Sequence, residues 1–198
     1  MTNNVNLSKR RLLIAATTAA GGVAAVGASA PFVLSLMPSE RAKASGASVE
    51  VDVSSIQPGM MIVVEWQGKP VWIVRRTKEM LDLLSNHNDK LTDPDSSVPQ
   101  QPRYCNNPYR SIKPEYIVVL GVCTHLGCSP TFRPEIAAVD LGTDWVGGWF
   151  CACHGSRFDL AARVFKGAPA PTNMIIPPHK YLSETRLLIG DDSKGAGA

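Results

Sequence analysis

Apolar residues follow two different regimes along this chain. From Leu12 to Met37 no charged side chain interrupts a run dominated by alanine and glycine, with scattered valine and leucine. Beyond residue 48 the apolar positions come in short bursts, separated by Gly, Pro, Asn and Asp. As a helix, residues 12–37 would extend about 39 Å at about 1.5 Å per residue. That exceeds the roughly 30 Å hydrocarbon core of a bilayer, so the run predicts a transmembrane anchor. Small residues recur at Ala20, Ala24 and Ala28, and again at Gly21, Ala25 and Ser29, on faces that let another helix come close. Pro31 is expected to bend the outer end.

The pattern changes at 38–48, where Ser39 to Ser48 is small, polar and poor in apolar residues. It reads as a flexible connector. Val49–Val53 then alternates like a strand, and Met60–Trp66 with Pro70–Arg75 predicts a hairpin around Gln67-Gly68-Lys69. Met80, Leu81, Leu83 and Leu84 give Lys78–Asn86 helical spacing. Residues 87–114, rich in Asp, Asn, Pro and Ser, read as a long loop over the domain. Tyr116–Val122 and Trp145–Phe150 are apolar strands. Ser129–Asp144 between them, with Pro130, Pro134 and Gly142, is an irregular crossing. Short strands are expected near Val164, Met174–Ile176 and Arg186–Ile189. The fold class is therefore mainly β: an antiparallel β domain over 49–198, preceded by one N-terminal transmembrane helix.

Composition narrows the function. A length of 198 residues, 44% hydrophobic, supports one ordinary domain and an appendage. The net charge of +3 is small, and no basic stripe with interleaved aromatics occurs, which excludes nucleic acid as a partner. Lys9, Arg10 and Arg11 precede the apolar run, so residues 1–11 are expected in the cytoplasm and the remainder outside. Arg10-Arg11 also resembles a twin-arginine export signal. A removable leader cut near Ala28-Ser29-Ala30 is the competing reading, and the apolar length favours a retained anchor.

The candidate chemistry lies in two short boxes, Cys123-Thr124-His125-Leu126-Gly127-Cys128 and Cys151-Ala152-Cys153-His154-Gly155-Ser156. Each offers two cysteines and one histidine. Four cysteines and two histidines exceed the needs of a tetrahedral metal, and two sulfurs are left over that could pair. A [2Fe–2S] centre with Cys₂ on one iron and His₂ on the other fits the count. Structural zinc is the plainer alternative for Cys and His at close spacing. Imidazole ligation raises such a centre to roughly −150 to +300 mV, against about −400 mV for plant-type ferredoxins. A free ring nitrogen adds a site for a proton. The fifth cysteine, Cys105, stands apart in a polar, Pro-rich stretch and is read as a free or buried thiol.

The two boxes resemble those of Rieske iron–sulfur proteins, particularly the subunit of quinol–cytochrome c reductase, the cytochrome bc1 complex. Gly167-Ala168-Pro169-Ala170-Pro171 resembles the family's Pro-rich third loop, and the anchor and connector match as well. The resemblance implies a Rieske-type fold whose cluster-binding part covers about 116–181. It implies that Cys123 and Cys151 ligate one iron, that His125 and His154 ligate the other, and that Cys128 and Cys153 form a disulfide. Such a bond persists outside the cytoplasm. Ser156 matches a serine that bonds a bridging sulfide, and Leu126 would cap the cluster tip. Two departures stand out: Phe158 occupies a position where many relatives have tyrosine, and Ala152 one where proline is common. Loss of the tyrosine hydroxyl predicts a lower potential.

Function follows as an expectation. The chain would be a bacterial inner-membrane electron carrier with its globular domain in the periplasm and a hinge at 38–48. It would take an electron and a proton from ubiquinol at His125 or His154. The electron would pass to a c-type cytochrome, with cytochrome b and cytochrome c1 as partners in a dimeric complex. A soluble Rieske ferredoxin is disfavoured by Cys128, Cys153 and residues 12–37. The small subunit of an exported oxidase such as arsenite oxidase remains the alternative.

Overall fold

The structure, a computed structural model, describes residues 6–39 and 46–192. The connector expected at 38–48 therefore falls mostly outside the described residues. The chain forms two units, Met1–Ala44 and Ser45–Ala198. Among its described residues the first holds one helix, α1 (Leu7–Ser35), long and apolar enough to cross a membrane. It starts five residues before the uncharged run, because Asn6 caps it by accepting from the Lys9 N–H (3.2 Å). It also continues through Pro31 to Ser35. Lys9, Arg10 and Arg11 thus lie in the first turns, where cations oppose the helix dipole. Helix stability is not what those charges serve.

Among the described residues, the second unit contains nine strands in three antiparallel sheets. They are β1 (Val49–Asp52), β2 (Met61–Trp66), β3 (Lys69–Arg75), β4 (Tyr116–Leu120), β5 (Thr131–Arg133), β6 (Gly148–Cys151), β7 (Ser156–Asp159), β8 (His179–Tyr181) and β9 (Arg186–Ile189). The sheet orders are β1-β9-β8, β2-β3-β4 and β5-β6-β7. A short helix, α2 (Lys78–Leu83), follows β3 and is capped by Thr77.

The β2-β3-β4 sheet separates two cores. Val71 and Ile73 of β3, with Val118 and Leu120 of β4, pack with Val51, Leu187 and Ile189. Trp72 and Val74, with Ile117 and Val119, face the other way and pack with Trp149, Cys151 and Phe158. Burial on both faces explains why β4 reads as an unbroken apolar run. Trp72 and Trp149 stack across the second core, with centroids 6.0 Å apart.

Five expectations need correction. The polar segment 87–114 does not merely lie over the domain: His87, Cys105, Arg110 and Ser111 are all buried. The crossing 129–144 contains β5, and the strand leading into the second box starts at Gly148 rather than Trp145, whose side chain is buried in a loop. Met174–Ile176 forms no strand; the Ile175 carbonyl accepts from the Leu120 N–H at the end of β4, and the Ile176 N–H donates to the Gln100 carbonyl. Val164 makes only an isolated bridge, to Phe158.

Candidate metal centre

The two boxes fold into matching turns. In the first, the Gly127 N–H donates to the Cys123 carbonyl (3.0 Å); in the second, the Gly155 N–H donates to that of Cys151 (2.8 Å). The frame in each is Cys-x-x-x-Gly, and both glycines have positive φ, +85° and +81°. Side chains with a Cβ avoid that region, so glycine closes each turn at least cost. The residues between differ in order, which explains how two unlike motifs form one site. Histidine is third in one frame and fourth in the other.

Cys123 and Cys151 are buried, His125 is half-buried and His154 is exposed. The two imidazoles meet edge to face with centroids 4.7 Å apart. Cys128 and Cys153 form a disulfide, with Cα atoms 6.7 Å apart, that ties the two turns together. The sulfurs of Cys128, Cys151 and Cys153 lie within 4.8 Å of one another. Because two of these are bonded to each other, the trio is not a three-thiolate site. Cys123, Cys151 and the two imidazoles remain as donors.

Burial pushes the Cys151 thiol above its ordinary pKa, while the N–H groups of Cys153 and His154 pull the other way. The neighbouring Cys123 thiol adds to the rise. With a metal bound the thiol would be held as a thiolate, which the Cys153 and His154 amides would stabilise. The donor set thus fits a centre with sulfur inside and nitrogen at the rim. Two thiols and two imidazoles alone would also suit tetrahedral zinc.

The Pro-rich segment 167–171 and the Thr172 that follows it join both boxes. Thr124 Oγ1 donates to the Thr172 carbonyl (2.7 Å), and Ser156 Oγ accepts from the Ala170 N–H (3.1 Å). Ser156 is fully buried and keeps its hydroxyl hydrogen available as a donor. Leu126, in contrast, is 71% exposed beside the imidazoles. Phe158 is fully buried, paired across the strands with Trp149.

Thr124 escaped the sequence reading, as did a buried ionic cluster behind the second box. Asp159 accepts from His87 Nε2 (3.1 Å), Arg163 Nε (2.8 Å) and the N–H groups of Ala161 and Arg163. Arg76 and Arg110 donate to the carbonyls of Leu160, Ala161 and Ala162. Burial lowers Arg110 to about 10, so it stays charged at neutral pH. The available signal was two histidines left over from the boxes and an Asp–Arg pair four residues apart. Cys105 is buried and unpaired, its pKa pushed up to about 12 by burial.

Comparison with known proteins supplies the remaining evidence. Residues 47–180 match the model of the Rieske [2Fe-2S] domain. Residues 1–39 match that of the ubiquinol–cytochrome c reductase Fe-S subunit TAT signal. The ubiquinol-cytochrome c reductase iron-sulfur subunit of Allochromatium vinosum is 60% identical over 97% of this chain and 93% of its own length. The mitochondrial cytochrome b-c1 complex subunit Rieske of Solanum tuberosum is 47% identical over 80% of this chain. The chain spans 52% of that longer relative. A chain of a hyperthermophilic respiratory Complex III is 29% identical, covering 89% of this chain and 98% of its own, with a TM-score of 0.48.

Proposed function

Since the chain belongs to the Rieske iron–sulfur protein family, we propose that it is the [2Fe–2S] subunit of a bacterial cytochrome bc1 complex. In this reading it accepts an electron and a proton from ubiquinol and passes the electron to a c-type cytochrome. One observation carries the reading: two matched turns bury Cys123 and Cys151 while setting the His125 and His154 rings side by side at the rim. When bound, the cluster supplies one-electron acceptance at a potential raised by imidazole ligation.

The protein's own residues do the rest. Cys123 and Cys151 would hold one iron, and His125 and His154 the other. The exposed His154 ring can accept a hydrogen bond from a quinol hydroxyl and hold its proton on the free ring nitrogen. Leu126 shields the rim from water and offers an apolar contact to the quinol ring. Ser156 would donate toward a bound cluster's sulfide, while the Ala170 N–H fixes its oxygen. The disulfide keeps the turns at a fixed spacing. Residues 12–37 anchor the chain in the inner membrane, residues 38–48 tether a periplasmic domain, and cytochrome b and cytochrome c1 are its partners in a dimeric complex.

The test is EPR of the membrane-purified protein. The reduced sample should give a rhombic iron signal with coupling to two nitrogens. Replacing His125 or His154 by alanine should remove or strongly alter it; a normal signal in both variants refutes the ligand assignment. A colourless protein containing one zinc would overturn the cluster. Co-purifying b- and c-type haems support the bc1 assignment, whereas a molybdenum enzyme would favour the exported oxidase.

A further inference from the structure

Beside the second box lies a cleft of about 440 Å³ that the reading above does not use. Its walls include Lys90, Arg157, Lys166, Asp144, Phe165 and Ala168, and Gly155 of the box also lines it. The three basic residues come from separate segments joined through the main chain. The Lys166 N–H donates to the Lys90 carbonyl (2.8 Å), and the Phe165 N–H to that of Arg157 (3.1 Å). Leu91 and Phe165 form a β-bridge in the same place. The backbone therefore brings three basic side chains to the walls of one cleft, where their like charge favours entry of an anion.

The charges inside the cleft do not cancel. Among the described residues that line it, Asp144 is the one carboxylate, and it lies 3.9 Å from the Arg157 guanidinium, too far for a hydrogen bond. Lys166 Nζ donates to the Asp89 carbonyl (2.7 Å), which orients the ammonium and leaves two hydrogens. The apolar side is equally fixed. The Phe165 ring stacks on His87 (5.6 Å between centroids) and tilts against Trp145 (6.4 Å). The volume falls within the range of about 300–1,000 Å³ usual for small-molecule sites, more than bare phosphate requires.

We propose that this cleft binds a soluble phosphate ester with a small apolar body, and that its occupancy is linked to the redox state of the adjacent centre. The second half rests on the cluster assignment made above. Reduction adds one negative charge next to the bound anion, so the ligand favours the oxidised protein. Linkage is reciprocal: the ligand must lower the midpoint potential until the site saturates in both states. A tenfold preference for the oxidised form corresponds to a fall of about 59 mV for a one-electron couple.

The probe is phenyl phosphate, titrated against the full-length protein in detergent at constant ionic strength. Calorimetry should show saturable binding, tighter than that of inorganic phosphate, and EPR redox titration a saturable fall in potential. The Lys90→Gln/Arg157→Gln/Lys166→Gln variant should lose both effects and keep its EPR signal. Lys90→Glu, altering an exposed side chain alone, should weaken binding at least tenfold and guards against misfolding of the triple variant. Equal binding in wild type and Lys90→Glu, or no binding at millimolar ligand, overturns the site. Binding without a potential shift overturns the linkage. Phosphatidylglycerol vesicles that lower the potential where phenyl phosphate does not would overturn the soluble ligand in favour of a lipid headgroup. An iron-free wild type would defeat the cluster assignment, while calorimetry would still decide the cleft.

Discussion

Phe158 and Asp159 are sequence neighbours with different consequences for the centre. Phe158 is fully buried in the core that also contains Cys123 and Cys151, so it has no donor to offer a ligand sulfur. Hydrogen bonds to cluster sulfur stabilise the more negative, reduced form. Phe158→Tyr should therefore raise the midpoint potential in protein-film voltammetry, and an unchanged potential would count against this account. If the new hydroxyl finds no acceptor, the variant should instead lose about 1–3 kcal/mol of stability. Asp159 acts on the fold. Burial alone would raise its pKa, but hydrogen bonds from His87 and Arg163 and the Arg163 charge outweigh that and hold it below the ordinary carboxylate value. A depressed folded-state pKa stabilises the protein above the unfolded-state value, and the contribution is lost as pH falls through the folded one. Denaturant midpoints should hence be flat near neutrality and drop below about pH 4. Asp159→Asn leaves the buried Arg163 without its counter-charge and should cost about 3–5 kcal/mol at neutral pH, flattening that acid dependence.

At the scale of elements, β6 and β7 carry the second box. Their register sets Cys151 against Ser156 and Trp149 against Phe158, so the four inward side chains share one face. Gly148 starts β6 at φ +147°, where a Cβ would run into the Phe158 carbonyl oxygen. Gly148→Ala should break this pairing, and the variant should accumulate without the iron signal; normal cluster content would show that the register is not required. The sequence read the hairpin well, since β2 and β3 pair from Met61↔Val74 to Trp66↔Lys69 as alternation and Gln67-Gly68 predict. It did not reveal β5, β7 and β8, strands of three or four residues. Segments that short carry too little periodicity, and their extended form depends on partners distant in sequence. The long polar stretch 87–114 misled for a related reason. Arg110 buries itself by binding the carbonyls of Ala161 and Ala162, and His87 by pairing with Asp159, partnerships absent from local composition.

For the whole molecule, the first 39 residues carry the features suited to export and anchoring. The helix is long and apolar enough to cross a membrane, and the match over 1–39 is to a TAT signal. Arg10→Lys/Arg11→Lys should leave the protein on the cytoplasmic side with its cluster assembled, because this route carries folded cargo. Mass spectrometry of the exported wild type should find residues 12–37 retained, and a mature chain starting near Pro31 would refute the anchor. The sequence by itself determined the class of chemistry, the mainly β character and the apolar helix, because each is written in local residue type, spacing or uninterrupted hydropathy. Tertiary structure alone decided which face of each strand enters which core, how the turns of the two boxes come together, and how Thr124 and Ser156 fasten the third loop. It also gathered Lys90, Arg157 and Lys166 around one cleft. These are contacts between separate segments of the chain, and their energies exist only once the chain has closed on itself.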